Sequence, residues 1–304
     1  GFTGLMANGV DDYLELFAGS GQAKVRGESS VYYLYSDAAA RAIAAYEPRA
    51  KIVVMLREPV SFLHSLHGRL RSMADETCAD FERALELEPA RARGEALPAS
   101  VRFPELLLYS RYARLAEGLE RYFEHFGRER VRAIVFDDCQ RAKQRVWDEL
   151  LAFLELAPAP LPSSEEQNPH HEPRWIWLTV ALRERVHWML DPPPDSPLDL
   201  PLRARRRLYR ALERFNWRRG ERAPLARDVR ARLERRFAPE VARLSELLGR
   251  DLGALWGYGT ALPAAGRPPR LQYGWVRTGP FSAMRSVPAG SLRIPRNGVC
   301  GAGK

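Results

Sequence analysis

Lysine is scarce in this chain. Only four of its 47 basic residues are lysines (Lys24, Lys51, Lys143, Lys304), so arginine carries the net charge of +9. Cysteine is scarcer still. Cys78, Cys139 and Cys300 lie far apart with no C-x-x-C pair, which gives neither zinc-ligand spacing nor a disulfide framework. The six histidines include the pair His170-His171, but no second cluster stands at metal spacing, so the pair reads as a loop feature and no metal is expected. No apolar run approaches the roughly 20 residues that span a bilayer. The opening, GFTGLMANGVDDYLELF, has neither the basic nor the apolar region of a signal peptide. Nothing argues for export, and a cytoplasmic location is the expectation. The opening also lacks an initiator methionine, so the sequence reads as a fragment.

What is present is a 304-residue chain that is 45% hydrophobic, enough for one large domain or two small ones with a sizeable core. The sequence pI near 9.7 invites a nucleic-acid reading. The arginines spread along helical stretches with acidic partners, as in ALRERVHW and LARDVRARLERRF, without one dense tract. Compositional bias and solvated helix faces account for them better, and no nucleic-acid partner is expected. A small, multiply charged anion remains compatible.

Along the chain, Asp11 to Gly19 predicts a short helix, and Ser36 or Asp37 caps an alanine-rich helix that ends before Pro48. Lys51 to Leu56 is a continuous apolar run with β-branched residues, the pattern of a buried parallel strand. Val60 to Ser72 is the next helix. Residues 80–100 are charged and alanine-rich with no clear face, predicting a surface helix and loop. Glu105 to Phe126 reads as one long amphipathic helix stopped by Gly127. Val131 to Phe136 is a second strand, and Arg145 to Leu156 a further helix. This alternation argues for an α/β fold, a parallel sheet flanked by helices on both faces. Beyond Leu156, loops such as APAPLPSSEEQNP and DPPPDSPLDLP separate helical, arginine-rich segments. Pro239 to Leu252 is the last helix, and from Gly257 the chain is Gly/Pro-rich, an irregular tail. No internal repeat is present.

The most informative stretch is KIVVMLREPVSFLHSLHGRL, Lys51 to Leu70. Ligands of parallel α/β sheets sit at the carboxyl ends of strands, and Arg57 stands at such an end. Pro59 suits a first helical turn. Ser61, His64, Ser65, Gly68 and Arg69 share one polar face of the following helix, while Val60, Leu63, Leu66 and Leu70 face the sheet. A guanidinium and serine hydroxyls near a helix start make a grip for a phosphate monoester. On these residues alone, an Arg57 that pairs with Glu58 or caps the strand end is an equal alternative.

Arg57-Glu58-Pro59, with Ser65 eight residues after the arginine, resembles the 3′-phosphate-binding motif of sulfotransferases that use 3′-phosphoadenosine 5′-phosphosulfate (PAPS). GESSVYYL, Gly27 to Leu34, resembles a stretch that precedes the motif in bacterial and carbohydrate-type members. Arg111-Tyr112 with its helix, then VRAIVFDD, WDELLAFLEL and PEVARLSELLGRDLGALW, are similar to later family elements in the same order. The resemblance implies a P-loop NTPase-like fold over residues 1–256, with a helical substrate-side insertion at 158–238 and a tail at 257–304. It implies PAPS as co-substrate, with Arg57, Ser65 and Ser61 on the cofactor side and no metal. It also implies a carbohydrate or small-molecule acceptor. Trp175 and Trp177 offer rings to stack on a sugar or lipid, although their helical spacing reads as core.

The family's 5′-phosphosulfate loop and its catalytic base precede GESSVYYL, and nothing between Gly1 and Val25 fills either role. The expectation is an N-terminally truncated chain. His64 and His67 are the nearest titratable groups to a catalytic helper, each with a structural reading as well. Glu28 is not assigned as base. GVCGAGK, Gly298 to Lys304, satisfies G-x-x-x-x-G-K but lacks the strand, hydroxyl residue and helix that a phosphate loop needs. The alternative readings are a non-catalytic 3′-phosphonucleotide-binding module and a basic nucleic-acid-binding protein.

Overall fold

In the computed structural model, residues 10–162, 171–190, 201–219 and 224–258 are described. Cys300, the Gly298–Lys304 motif, His170 and the tail from residue 259 onward lie outside them. Residues 10–30 belong to one unit and residues 31–258 to another. In the first, α1 (Val10–Glu15) is followed by a 3-10 turn, Ala18–Ser20. Tyr13 meets Phe17 edge-on at 5.3 Å, and Ser20 Oγ donates to the Phe17 carbonyl at 2.6 Å.

The second unit opens with a tyrosine turn, Tyr33–Tyr35. Ser36 Oγ then accepts from the Ala38 and Ala39 amides at 3.3 and 3.2 Å, holding the start of α2 (Ala39–Tyr46). The strands β1 (Ile52–Leu56) and β2 (Val131–Val135) pair in parallel, in register from Ile52–Val131 to Leu56–Val135. Between them run α3 (Pro59–Ser72), α4 (Phe81–Glu86), α5 (Glu88–Ala92), α6 (Tyr109–Tyr112) and α7 (Leu115–Phe126). After β2 come α8 (Phe136–Arg141) and α9 (Lys143–Phe153). A ribbon of β3 (His171–Pro173) and β4 (Trp217–Arg219) closes around α10 (Ile176–Leu190) and α11 (Leu202–Asn216). The last described helices are α12 (Arg227–Leu248) and α13 (Leu252–Trp256).

The architecture is mixed α/β, mostly helical, with a small parallel sheet. Among the described residues that sheet has two strands. Val54 and Leu56 of β1 are buried, but Val53 and Met55 are exposed. The expected cover of helices on both faces therefore holds for one face of β1 only.

Two apolar clusters build the core. The first packs Val54, Leu56, Leu119, Tyr122 and Trp256 around the sheet. The second packs Val60, Leu63, Phe81, Leu107 and Tyr109 around α3. Three departures from the sequence expectation follow, two of them because one segment serves both clusters. Residues 105–126 are not one helix: Leu108 (ψ 68°) and Arg114 (ψ 61°) leave helical geometry. Leu106, Tyr109 and Tyr112 thereby face the second cluster, while Leu115, Leu119 and Phe126 face the first.

Residues 80–100 are not a surface segment. Phe81, Ala84 and Leu85 are core residues, and Arg91 is buried because both its Nη atoms meet the Glu76 carboxylate, at 2.7 and 2.9 Å. Helix α12 does not start at Pro239 but runs through it. An interior proline costs a helix ~3 kcal/mol. Here Leu233 and Phe237 bury in the second cluster, and Val241 and Leu244 in the first. Each such side chain returns roughly 1.5–3 kcal/mol, which offsets the missing hydrogen bond.

Candidate functional site

The parallel register that pairs Leu56 with Val135 sets the next residues, Arg57 and Phe136, side by side at the carboxyl edge of the sheet. The Arg57 guanidinium lies over the Phe136 ring, 5.1 Å from its centroid. Among the described residues no carboxylate pairs with Arg57. The ring fixes the guanidinium from one side and leaves its donors for an anion.

Glu58 does not pair with Arg57; it caps α3. Its carboxylate accepts from the Val60 amide at 2.8 Å, the Ser61 amide at 2.7 Å and Ser61 Oγ at 2.5 Å. Tyr258 OH donates to it at 2.7 Å and Arg230 Nη2 at 3.3 Å. Burial, and then the Glu58 charge, raise the Tyr258 phenol above its ordinary range. The positive end of the α3 dipole, which the sequence offered to a ligand anion, is thus met by the chain's own carboxylate. The Ser61 hydroxyl is engaged there too.

Further along α3, Ser65 is half-buried, two turns beyond Arg57 in sequence. His64 is half-buried, its ring 5.5 Å from that of Phe81. His67 is a core residue: buried between Phe81 (5.3 Å) and Tyr109 (6.0 Å), with Nε2 3.0 Å from the Cys78 carbonyl.

The tyrosine turn is tied to α6 and α7. Tyr122 OH, Arg121 Nη2 and Arg111 Nη2 donate to the carbonyls of Tyr33, Leu34 and Tyr35 at 3.2, 3.1 and 3.3 Å. Gly118 allows this approach, since a Cβ there would lie 2.4 Å from the Leu34 oxygen. Tyr35 then stacks on Phe62 of α3 at 6.3 Å. At the end of β2, Asp138 binds Arg250 through two contacts of 2.5 and 2.9 Å, and Asp137 accepts from Trp256 Nε1 at 3.0 Å. The Arg250 hydrogen bond lowers the Asp138 carboxyl. These acids tie the closing helices to the sheet.

Compared with solved structures, the chain matches the crystal structure of a sulfotransferase from Alicyclobacillus acidocaldarius. The two are 27% identical with a TM-score of 0.53, over 81% of this chain and 73% of that one. The chain is similar to a sulfotransferase. No protein-family model matches it, and no curated protein matches it in sequence. The mixed α/β fold with its small parallel sheet is in keeping with that likeness to a sulfotransferase.

Among the described residues no group of His, Cys, Asp and Glu is arranged to hold a metal ion, and no helix is long and apolar enough to cross a membrane. Other features escaped the sequence. Asp75 and Glu76, just past α3, are buried. Asp75 accepts from Arg102 Nη2 at 2.7 Å and Arg183 Nη1 at 3.0 Å. Glu76 holds Arg91 and also accepts from Tyr109 OH at 2.8 Å. Burial pushes the Glu76 carboxyl up, but Arg91, the Cys78 amide and Tyr109 outweigh it and the net shift is down. Trp175 and Trp177, read from their spacing as core, are exposed. Nor are the arginines everywhere partnered by acids: residues 202–216 are a dense basic tract.

Proposed function

We propose that the chain is a sulfotransferase whose donor is PAPS, with Arg57 and Ser65 on the donor's 3′-phosphate. The sulfuryl sulfur–oxygen bond to the 5′-phosphate breaks as a bond to an acceptor hydroxyl or amine forms. The acceptor loses its proton, and 3′,5′-adenosine bisphosphate departs. The acceptor is a carbohydrate or small molecule. Positioning and charge stabilisation do most of the work in such a transfer.

The observation that carries this reading is Arg57, a guanidinium seated on Phe136 at a strand's carboxyl edge with no carboxylate pairing among the described residues. The fit extends to Glu58, whose charge is taken up by five donors and so does not neutralise the arginine. Ser61 acts through Glu58 in this reading, holding the cap rather than the phosphate. His64 is the candidate helper, since His67 is held by the Cys78 carbonyl. The sulfotransferase likeness supports the reaction class.

Calorimetric titration with 3′,5′-adenosine bisphosphate and with 5′-AMP tests it. Arg57→Ala and Ser65→Ala should each weaken the bisphosphate far more than 5′-AMP, by roughly 1.5–3 kcal/mol per charge-assisted hydrogen bond lost. Equal losses for both nucleotides would sink the assignment.

A further inference from the structure

Helix α11, LRARRRLYRALERFN, carries six arginines and a single acid, Glu213. Arg203, Arg206, Arg207, Arg210 and Arg214 are exposed, and their spacing places them along one side of the helix. None of the five pairs with a described carboxylate. Beside that row runs an apolar line, Leu208, Ala211 and Phe215, also at helical spacing and also exposed. Leu208 is 42% and Phe215 60% accessible.

The line continues past the helix end. Phe215 lies 5.6 Å from Trp175, and Trp175 lies 6.5 Å from Trp177. The two tryptophans are 41% and 66% accessible, and the Arg174 guanidinium sits 5.9 Å over the Phe215 ring. Buried Asn216 locks the arrangement. Its Oδ1 accepts from the Trp175 amide at 2.9 Å, and its Nδ2 donates to the Trp175 carbonyl at 3.2 Å and Thr179 Oγ1 at 2.9 Å. The rings are therefore presented by a rigid joint, not by a loose loop.

We propose that this face of α11, with the Trp175–Trp177 corner, is a docking surface for an anionic lipid bilayer. The arginine row meets the headgroup phosphates, and the rings with Leu208 enter the boundary between headgroups and acyl chains. Charge complementarity selects an anionic partner. The parallel apolar line selects one that is oily beneath its charge. A single strand of nucleic acid would stack on the rings but leave Leu208 and Ala211 in water.

The test is cosedimentation of the full chain with vesicles of phosphatidylcholine alone and of phosphatidylcholine mixed equally with phosphatidylglycerol. Binding to the mixed vesicles, weakened by salt and accompanied by a blue shift of tryptophan emission, is the expected result. Arg206→Glu with Arg207→Glu should cut partitioning at least about tenfold, and Trp177→Ala with Phe215→Ala should cut it while leaving the salt dependence. Circular dichroism checks that each variant is folded. Titration of both variants with 3′,5′-adenosine bisphosphate stays unchanged, so failure here is separate from failure of the nucleotide reading. The proposal is overturned by a folded chain that ignores anionic vesicles or binds neutral ones equally. It is also overturned if the arginine changes abolish binding while the aromatic changes do nothing, or if an oligonucleotide binds where vesicles do not.

Discussion

In the helical body, Arg91 sits on Glu76, Arg102 on Asp75, Arg243 on Glu120 and Arg250 on Asp138. On α11, Arg203, Arg206, Arg207, Arg210 and Arg214 have no such partner among the described residues. The same side chain does two jobs. In the body its charge answers a carboxylate, and where packing has removed that carboxylate from water, as at Glu76 and Asp75, each member of the pair depends on the other. On α11 the charge answers nothing within the described fold, stays hydrated, and is available to something outside it. A basic composition alone does not distinguish the two; the location of the carboxylates does.

The largest effect should come from breaking a buried pair. Arg91→Ala leaves Glu76 in the core with only Tyr109 and the Cys78 amide on it, and should cost about 3–5 kcal/mol in urea unfolding. Arg91→Met combined with Glu76→Leu should recover most of that loss, because both charges leave together. A single substitution costing under about 1 kcal/mol would show that the pair is not the tie described.

Glu240 sharpens the contrast, since it is a buried carboxylate that no arginine among the described residues pairs. It accepts from the Ala116 amide at 2.5 Å, near the start of α7, and burial pushes it up from 4.5 to about 7. Its folded pKa is raised, so the stability it contributes is complete below the unfolded value and is lost as pH rises through the folded one. Stability should fall by roughly 3 kcal/mol between about pH 4.5 and pH 7, and Glu240→Gln should flatten that slope. A wild-type profile without the fall would place the carboxylate in contact with water.

The smallest effect belongs to α11. Arg206→Ala and Arg207→Ala should move the unfolding midpoint by no more than surface changes do, within about 0.5 kcal/mol. A larger loss would mean that these arginines belong to the body after all.

How much of this was legible depended on whether the governing pattern was local. The strand before Arg57 and the helix after it announce themselves through an apolar run, a proline at a first turn and a clean polar face. Both strands and α7 were readable for similar reasons. The break at Arg114 was not, because apolar residues on each side of it serve different cores and nothing local says that there are two. The burial of residues 80–100 was hidden because its decisive contact joins Arg91 to Glu76. Pro239 misled as a start signal, since long-range packing overrides a local break. Within the candidate site, the strand-end place of Arg57 could be read from its neighbours, but the engagement of Ser61 with Glu58 follows from a cap whose other partners, Arg230 and Tyr258, are remote.

That cap also bears on when the site can form. Glu58 is 172 residues from Arg230 and 200 residues from Tyr258. A ribosome adding about 5–20 residues per second takes roughly 10–40 s to cover the longer separation. During that interval β1 and α3 have been made, but the groups that finish neutralising Glu58 have not. The sheet edge around Arg57 must therefore wait, half assembled, for the chain's later helices. The surroundings of Arg57 mature only once residue 258 has been made, long after the strand and helix that carry it.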